Sequence, residues 1–93
     1  MSQIWNVTKD VSNMISAKQI KAARVFLDME QKDLAAASGL SLPTIQRMEK
    51  LGVERSQAGN AEKVRRALED AGVIFIAENG EGPGVRLRKV SAA

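Results

Sequence analysis

Cysteine and histidine are both absent from the 93-residue chain. Without thiolates there is no disulfide framework and no cysteine-based metal site. Without imidazole the commonest general base and the commonest zinc ligand are missing. The acids form no spaced pair in an apolar setting of the kind that separates two carboxylate pKa values. No catalytic residue, metal or other cofactor is therefore expected, and the chain does not read as an enzyme. Aromatics are only 3% of residues, so the core must be built from Leu, Ile, Val, Ala and Met. No apolar run approaches the roughly 20 residues that a membrane-spanning helix needs. The first ten residues, MSQIWNVTKD, lack the basic start and apolar stretch of a signal peptide. Together these absences predict a soluble, cytoplasmic protein.

What is present is ordinary for one small globular domain: 44% hydrophobic and 27% charged residues. The net charge of +3 is permissive for nucleic acid without requiring it. Residues 16–51 hold six Lys/Arg against four Asp/Glu, while residues 54–72 balance at four and four. From Val85 onward Arg86, Arg88 and Lys89 face no acid. The excess is spread over the centre of the chain and its tail, and it also suits a plain solubilising surface.

Residues 1–15 show no clear period, yet Ile4, Trp5, Val7, Val11, Met14 and Ile15 are apolar. They read either as a frayed terminus or as an arm that packs on the domain or on a second subunit. A helix is expected over 16–29. Ser16 and Gln19 form a capping box, and Ile15 with Ile20 a candidate hydrophobic staple. Ile20, Ala23 and Leu27 make its inner stripe, with Phe26 beside it; Arg24 lies near the stripe, an odd place for a charge.

The centre of the chain is QKDLAAASGLSLPTIQRME, residues 31–49. It reads as a helix over 30–38, a sharp turn at Gly39, and a second helix over 41–51. Leu34 and Ala35 share the apolar face of the first; Ile45 and Met48 lie at i, i+3 on the second. Glycine takes the positive φ of such a turn without steric cost. Ser41 suits an N-cap, and Pro43 suits a first turn whose amides lack intrahelical partners. Gly52 is a stop, 53–60 a loop, and Asn60 the expected cap of a fourth helix over 61–71. Its inner stripe would be Ala61, Val64, Leu68 and Ala71, with Gly72 as terminator and Arg65, Arg66, Glu69 and Asp70 on the wet side. VIFIA (73–77) and the alternating VRLRKV (85–90) flank the turn-forming ENGEGPG, which predicts a β-hairpin. Such a ribbon is marginal alone and should cover the helices or pair with a second subunit. Its glycines do not form a phosphate-cradling P-loop, since a strand follows them and no G-K-[ST] ending is present.

Residues 31–49 resemble the helix-turn-helix of the Cro/repressor-like, or XRE-type, DNA-binding family. The family pattern is roughly Q-x-x-L-A-x-x-x-G-[LV]-S-x-x-x-I-x-x-[ILM]-E. Gln31, Leu34, Ala35, Gly39, Leu40, Ser41, Ile45, Met48 and Glu49 match it in register. The likeness covers roughly 15–72. Short bacterial proteins of this type also resemble the chain at A-G-V-x-F-I and G-P-G-V-R-L-R, which fall at 71–76 and 82–88 here.

The resemblance implies a mainly α fold: a four-to-five-helix bundle over 16–72, an N-terminal arm over 1–15, and a C-terminal hairpin over 73–90 as a possible dimerisation element. It implies a cytoplasmic, nucleoid-associated transcriptional regulator, expected to be a repressor, that binds double-stranded DNA as a homodimer on a near-palindromic operator. The helix over 41–51 would enter the major groove. Its outward residues Leu42, Pro43, Thr44, Gln46 and Arg47 are the candidate base readers. Arg47 suits guanine, Gln46 adenine, and Thr44 a phosphate or a thymine methyl. Leu42 and Pro43 depart from the polar readers common in the family. Gln31 matches the family's phosphate-binding glutamine, and Ser41, Lys32, Lys50 and Arg55 are further phosphate candidates. Arg24 would pair with Glu49, as a helix-1 arginine and the glutamate closing the recognition helix do in the family. A regulatory protein partner is also compatible, because the same fold could serve as an adaptor that sequesters another protein.

Overall fold

The structure is a computed structural model that describes residues 15–89. The readings of 1–14 and of Val90 lie outside the described residues. Four helices and a hairpin follow in chain order: α1 (Ala17–Phe26), α2 (Gln31–Ser38), α3 (Leu42–Leu51), α4 (Asn60–Asp70), β1 (Val73–Ile76) and β2 (Gly84–Leu87). A 3-10 turn, Val53–Arg55, lies in the segment read as an open loop.

The first three helices begin where side-chain chemistry supplies partners for backbone amides. Ser16 Oγ accepts from the Gln19 amide at 3.1 Å, and the Ser16 amide donates to Gln19 Oε1 at 2.8 Å. Glu30 takes the cap position of α2, and its amide donates to Asp33 Oδ2 at 2.9 Å. Ser41 caps α3, accepting from the Thr44 amide at 3.2 Å, with Pro43 in the first turn. The turn between α2 and α3 is made by Gly39 at φ 75°, with the Leu40 amide returning to the Ala35 carbonyl at 3.1 Å. A glycine with no Cβ holds that left-handed conformation at least cost.

Three boundaries differ from the sequence reading. Helix α1 stops at Phe26 rather than continuing to residue 29, because Asp28 adopts φ 55° and the Met29 amide closes back on the Arg24 carbonyl at 2.9 Å. Aspartate is one of the few side chains that tolerates this conformation. Asn60 is not the cap of α4 but its first residue; Gly59, at φ 91°, holds the cap position and Asn60 makes no side-chain cap bond. Ala71 is exposed as the residue after the helix, and Ala67 takes its expected place in the inner stripe. Phe26, read as lying beside the α1 stripe, is half exposed on the side of α1 away from Ile20 and Ala23.

The core collects one stripe from every element. Ile15, Ile20, Ala23, Leu34, Ala35, Ile45, Met48, Val53, Val64, Ala67, Leu68 and Val73 are buried in one cluster. Each of the large aliphatic side chains among them contributes about 1.5–3 kcal/mol by leaving water. The strands pair antiparallel with Val73 opposite Leu87 and Ile76 opposite Gly84. Phe75 and Val85, cross-strand partners, pack against the helical cluster. The hairpin thus lies on α1 and α4 and closes the helical core. Leu87, grouped by alternation with Val85, is 44% exposed at the strand end.

Gln19 ties the hairpin to α1. Only 7% exposed, it is the buried polar residue among the described ones. Its Nε2 donates to the carbonyls of Gly84 at 3.0 Å and Ile76 at 3.3 Å, while its Oε1 serves the Ser16 amide. One side chain therefore joins a helix cap to both strands. Gln19→Ala leaves these groups to find water in a closed site, an expected cost of about 1–3 kcal/mol. Urea unfolding should show a lower midpoint, and native-state hydrogen exchange should speed first in β1 and β2 while α2 and α3 keep their protection.

Candidate nucleic-acid interface

Helices α2 and α3 meet through Leu34, Ala35, Ile45 and Met48, all buried. This seam fixes which side of α3 looks outward. Leu42, Pro43, Gln46, Arg47 and Lys50 are exposed, and Thr44 is half-buried. The side chains of Gln46, Arg47 and Lys50 make no hydrogen bond or ion pair with another described residue. The cap bond occupies Thr44, whose Oγ1 lies 2.8 Å from Ser41 Oγ. Both hydroxyls are thus committed to the helix start, and any partner there would share them.

The one acid of α3 is turned the other way. The Glu49 side chain is 5% exposed and takes a two-point contact from Arg24: Nε to Oε2 at 2.8 Å and Nη2 to Oε1 at 3.0 Å. Arg24 Nη1 also donates to the Met29 carbonyl at 3.0 Å, which ties the pair to the turn after α1. The bond to Glu49 raises the pKa of Arg24 above its ordinary value, against the opposing effect of burial. The Arg24 charge that is odd by hydropathy is thereby matched. With Glu49 neutralised by Arg24, the outer face of α3 presents Arg47 and Lys50 with no counter-charge of its own.

Gln31, read as a phosphate contact, is joined to the Arg24–Glu49 pair. Its Nε2 donates to Glu49 Oε1 at 3.0 Å, so its side-chain amide completes the buried network and does not stand free. Lys32 extends beside Glu30 at 3.7 Å, and Asp33 is exposed next to them. The start of α2 is therefore acidic as well as basic, which weakens it as an anion site. Ser41 is exposed at the mouth of α3, and Arg55 lies in the 3-10 turn beyond its end.

An open groove of about 860 Å³ runs between α1, the start of α2 and α3. Gln46 and Lys50 line it from α3, Gln31 and Lys32 from α2, and Arg24 and Lys21 from α1. Lys21 was missed by sequence reasoning. Its signal was its i, i+3 spacing from Arg24, which places both on one side of the helix. The groove thus collects an exposed lysine from each of three helices around a neutralised ion pair. Its lining combines cationic groups on long stems and amide donors with the exposed Glu30 carboxylate and apolar Leu42. No family model matches the chain, and no curated protein matches it significantly.

Proposed function

We propose that the chain is a sequence-specific DNA-binding transcriptional regulator of helix-turn-helix type. In this reading α2 and α3 are the motif, and α3 enters the major groove. Arg47 reads a guanine through O6 and N7, Gln46 reads an adenine, and Leu42 and Pro43 offer apolar contact to thymine methyl groups. Lys50 and Lys21 reach the phosphates on either side. The observation that carries the reading is the outer face of α3: unpartnered Gln46, Arg47 and Lys50, with the helix's one acid drawn inward by Arg24. The register match to the Cro/repressor-like family supports it.

One α3 helix buries too little surface for tight specific binding, so the operator is a near-palindrome taken by two copies with half-sites one helical turn apart. The chain acts as a repressor by occupying promoter DNA. The alternative is a protein-binding adaptor, favoured by Leu42 and Pro43, which place apolar surface where polar readers are common; Leu42 is 37% exposed.

The salt dependence of binding separates the two. Lys50 and Lys21 from two copies make four phosphate contacts, which give a slope of roughly −3.6 in log affinity against log salt. Fluorescence anisotropy with a labelled duplex should then show roughly a hundredfold loss of affinity between about 50 and 200 mM salt. A flat or absent response would shift the assignment to the adaptor.

A further inference from the structure

Two of the exposed large apolar side chains lie next to each other on one side of α1. Val25 is 61% exposed and Phe26 50%. With Ala22, Lys18 and Lys21 they line a shallow groove of about 410 Å³. Residues 18, 21, 22, 25 and 26 follow the spacing of a single helical face, and that face is opposite the one through which Ile20 and Ala23 enter the core. Two neighbouring large apolar side chains in a groove with a cationic rim mark a contact surface.

Charge and chain geometry select the occupant. A second copy seated here about a two-fold axis would bring the same lysine rim against itself, since such an interface repeats one patch on both sides. An occupant with no cationic excess is needed. The described chain begins at buried Ile15, at the N-terminal end of α1, and fourteen residues precede it. Those residues include Ile4, Trp5, Val7 and Val11, and their Lys9 is balanced by Asp10. Helix α1 has ten residues, a length of about 15 Å. Fourteen residues reach up to about 46–50 Å when extended. The segment is attached at one end of the groove and long enough to cover all of it. Attachment also gives it an effective concentration in the millimolar range, well above that of a free partner.

We propose that this groove is the docking site of the chain's own N-terminal segment, with Trp5 as the side chain that covers Val25 and Phe26. Tryptophan brings the largest apolar area of any residue to such a contact. The proposal does not depend on the DNA-binding reading.

Trp5 is the only tryptophan in the chain, so its fluorescence in the full-length protein reports the contact directly. In the unaltered chain the emission should be blue-shifted and shielded from acrylamide. Val25→Asp and Phe26→Asp, both at exposed positions, should each shift the emission to that of free indole. Acrylamide quenching should rise severalfold, with the far-ultraviolet circular dichroism unchanged. Free-indole emission in the unaltered chain, or shielding that survives both substitutions, would overturn the proposal. Shielding that disappears on dilution together with a dimer mass in light scattering would overturn it too, and would assign the groove to a second copy.

Discussion

Arg24→Ala is expected to remove about 3–5 kcal/mol of stability, the usual cost of taking one partner from a buried ion pair. A chain of this size holds about 5–14 kcal/mol in all, so the variant should sit near its unfolding midpoint at moderate urea. The reason lies in what remains. Glu49 would keep its carboxylate at 5% exposure with only the Gln31 amide as donor. The two arms of the pair are not equivalent. In Glu49→Ala the guanidinium keeps its bond to the Met29 carbonyl and, at 14% exposure, reaches water more readily. That variant should lose less, about 1–3 kcal/mol. Arg24→Met combined with Glu49→Leu removes both charges and fills similar volume, and should return to within about 1 kcal/mol of the parent. Urea unfolding followed by circular dichroism gives all three values. Since bonding to Glu49 raises the Arg24 pKa, the guanidinium side of the pair stays charged at every ordinary working pH. A double variant as unstable as Arg24→Ala would mean that packing of the arginine stem, not its charge, holds α1 to α3.

Arg47→Ala is expected to weaken binding to the preferred DNA by about 1–3 kcal/mol per site, roughly 5- to 150-fold, because one bidentate base contact is lost. Stability should not change, since Arg47 is exposed and has no partner among the described residues. The loss should be specific: affinity for unrelated DNA should fall far less, so the ratio between the two collapses. Lys50→Ala should behave in the opposite manner. Removal of a phosphate contact weakens all sequences alike and reduces the salt slope by about 0.9 per contact. Competition titrations with preferred and unrelated duplexes, at two salt concentrations, separate a reader from a phosphate anchor. Equal losses on both duplexes for Arg47→Ala would make it a backbone contact, and base reading would pass to Gln46.

The parts legible in the sequence are those governed by neighbours a few residues apart. The Ser16–Gln19 capping box, the Ser41 cap, the left-handed turn at Gly39 and the outward positions of α3 all follow from local spacing. Boundaries failed where an unusual residue took a glycine's conformation, as Asp28 does, or where glycine and asparagine competed for one cap, as at Gly59 and Asn60. Long-range partners were beyond local rules. Gln19 reads as a capping residue, yet its amide reaches the hairpin 57 and 65 positions away. Gln31 reads as a phosphate contact by family likeness, and its bond to Glu49, 18 positions away, has no local signal. Lys21 joins the groove only because α1 crosses α3 at that point. Arg24 and Glu49 were paired by family likeness; hydropathy alone marked Arg24 as odd without naming its partner.

Base reading by α3 is tested most directly by a binding selection from a randomised duplex pool. The chain and its Arg47→Ala variant would each be taken through the same rounds. Base reading by α3 predicts that the unaltered chain enriches two inverted half-sites about 10 base pairs apart from centre to centre. It also predicts that the variant loses preference at one guanine position in each half-site. A pool that stays random after selection with the unaltered chain, or the same enriched sequence with and without Arg47, would contradict it.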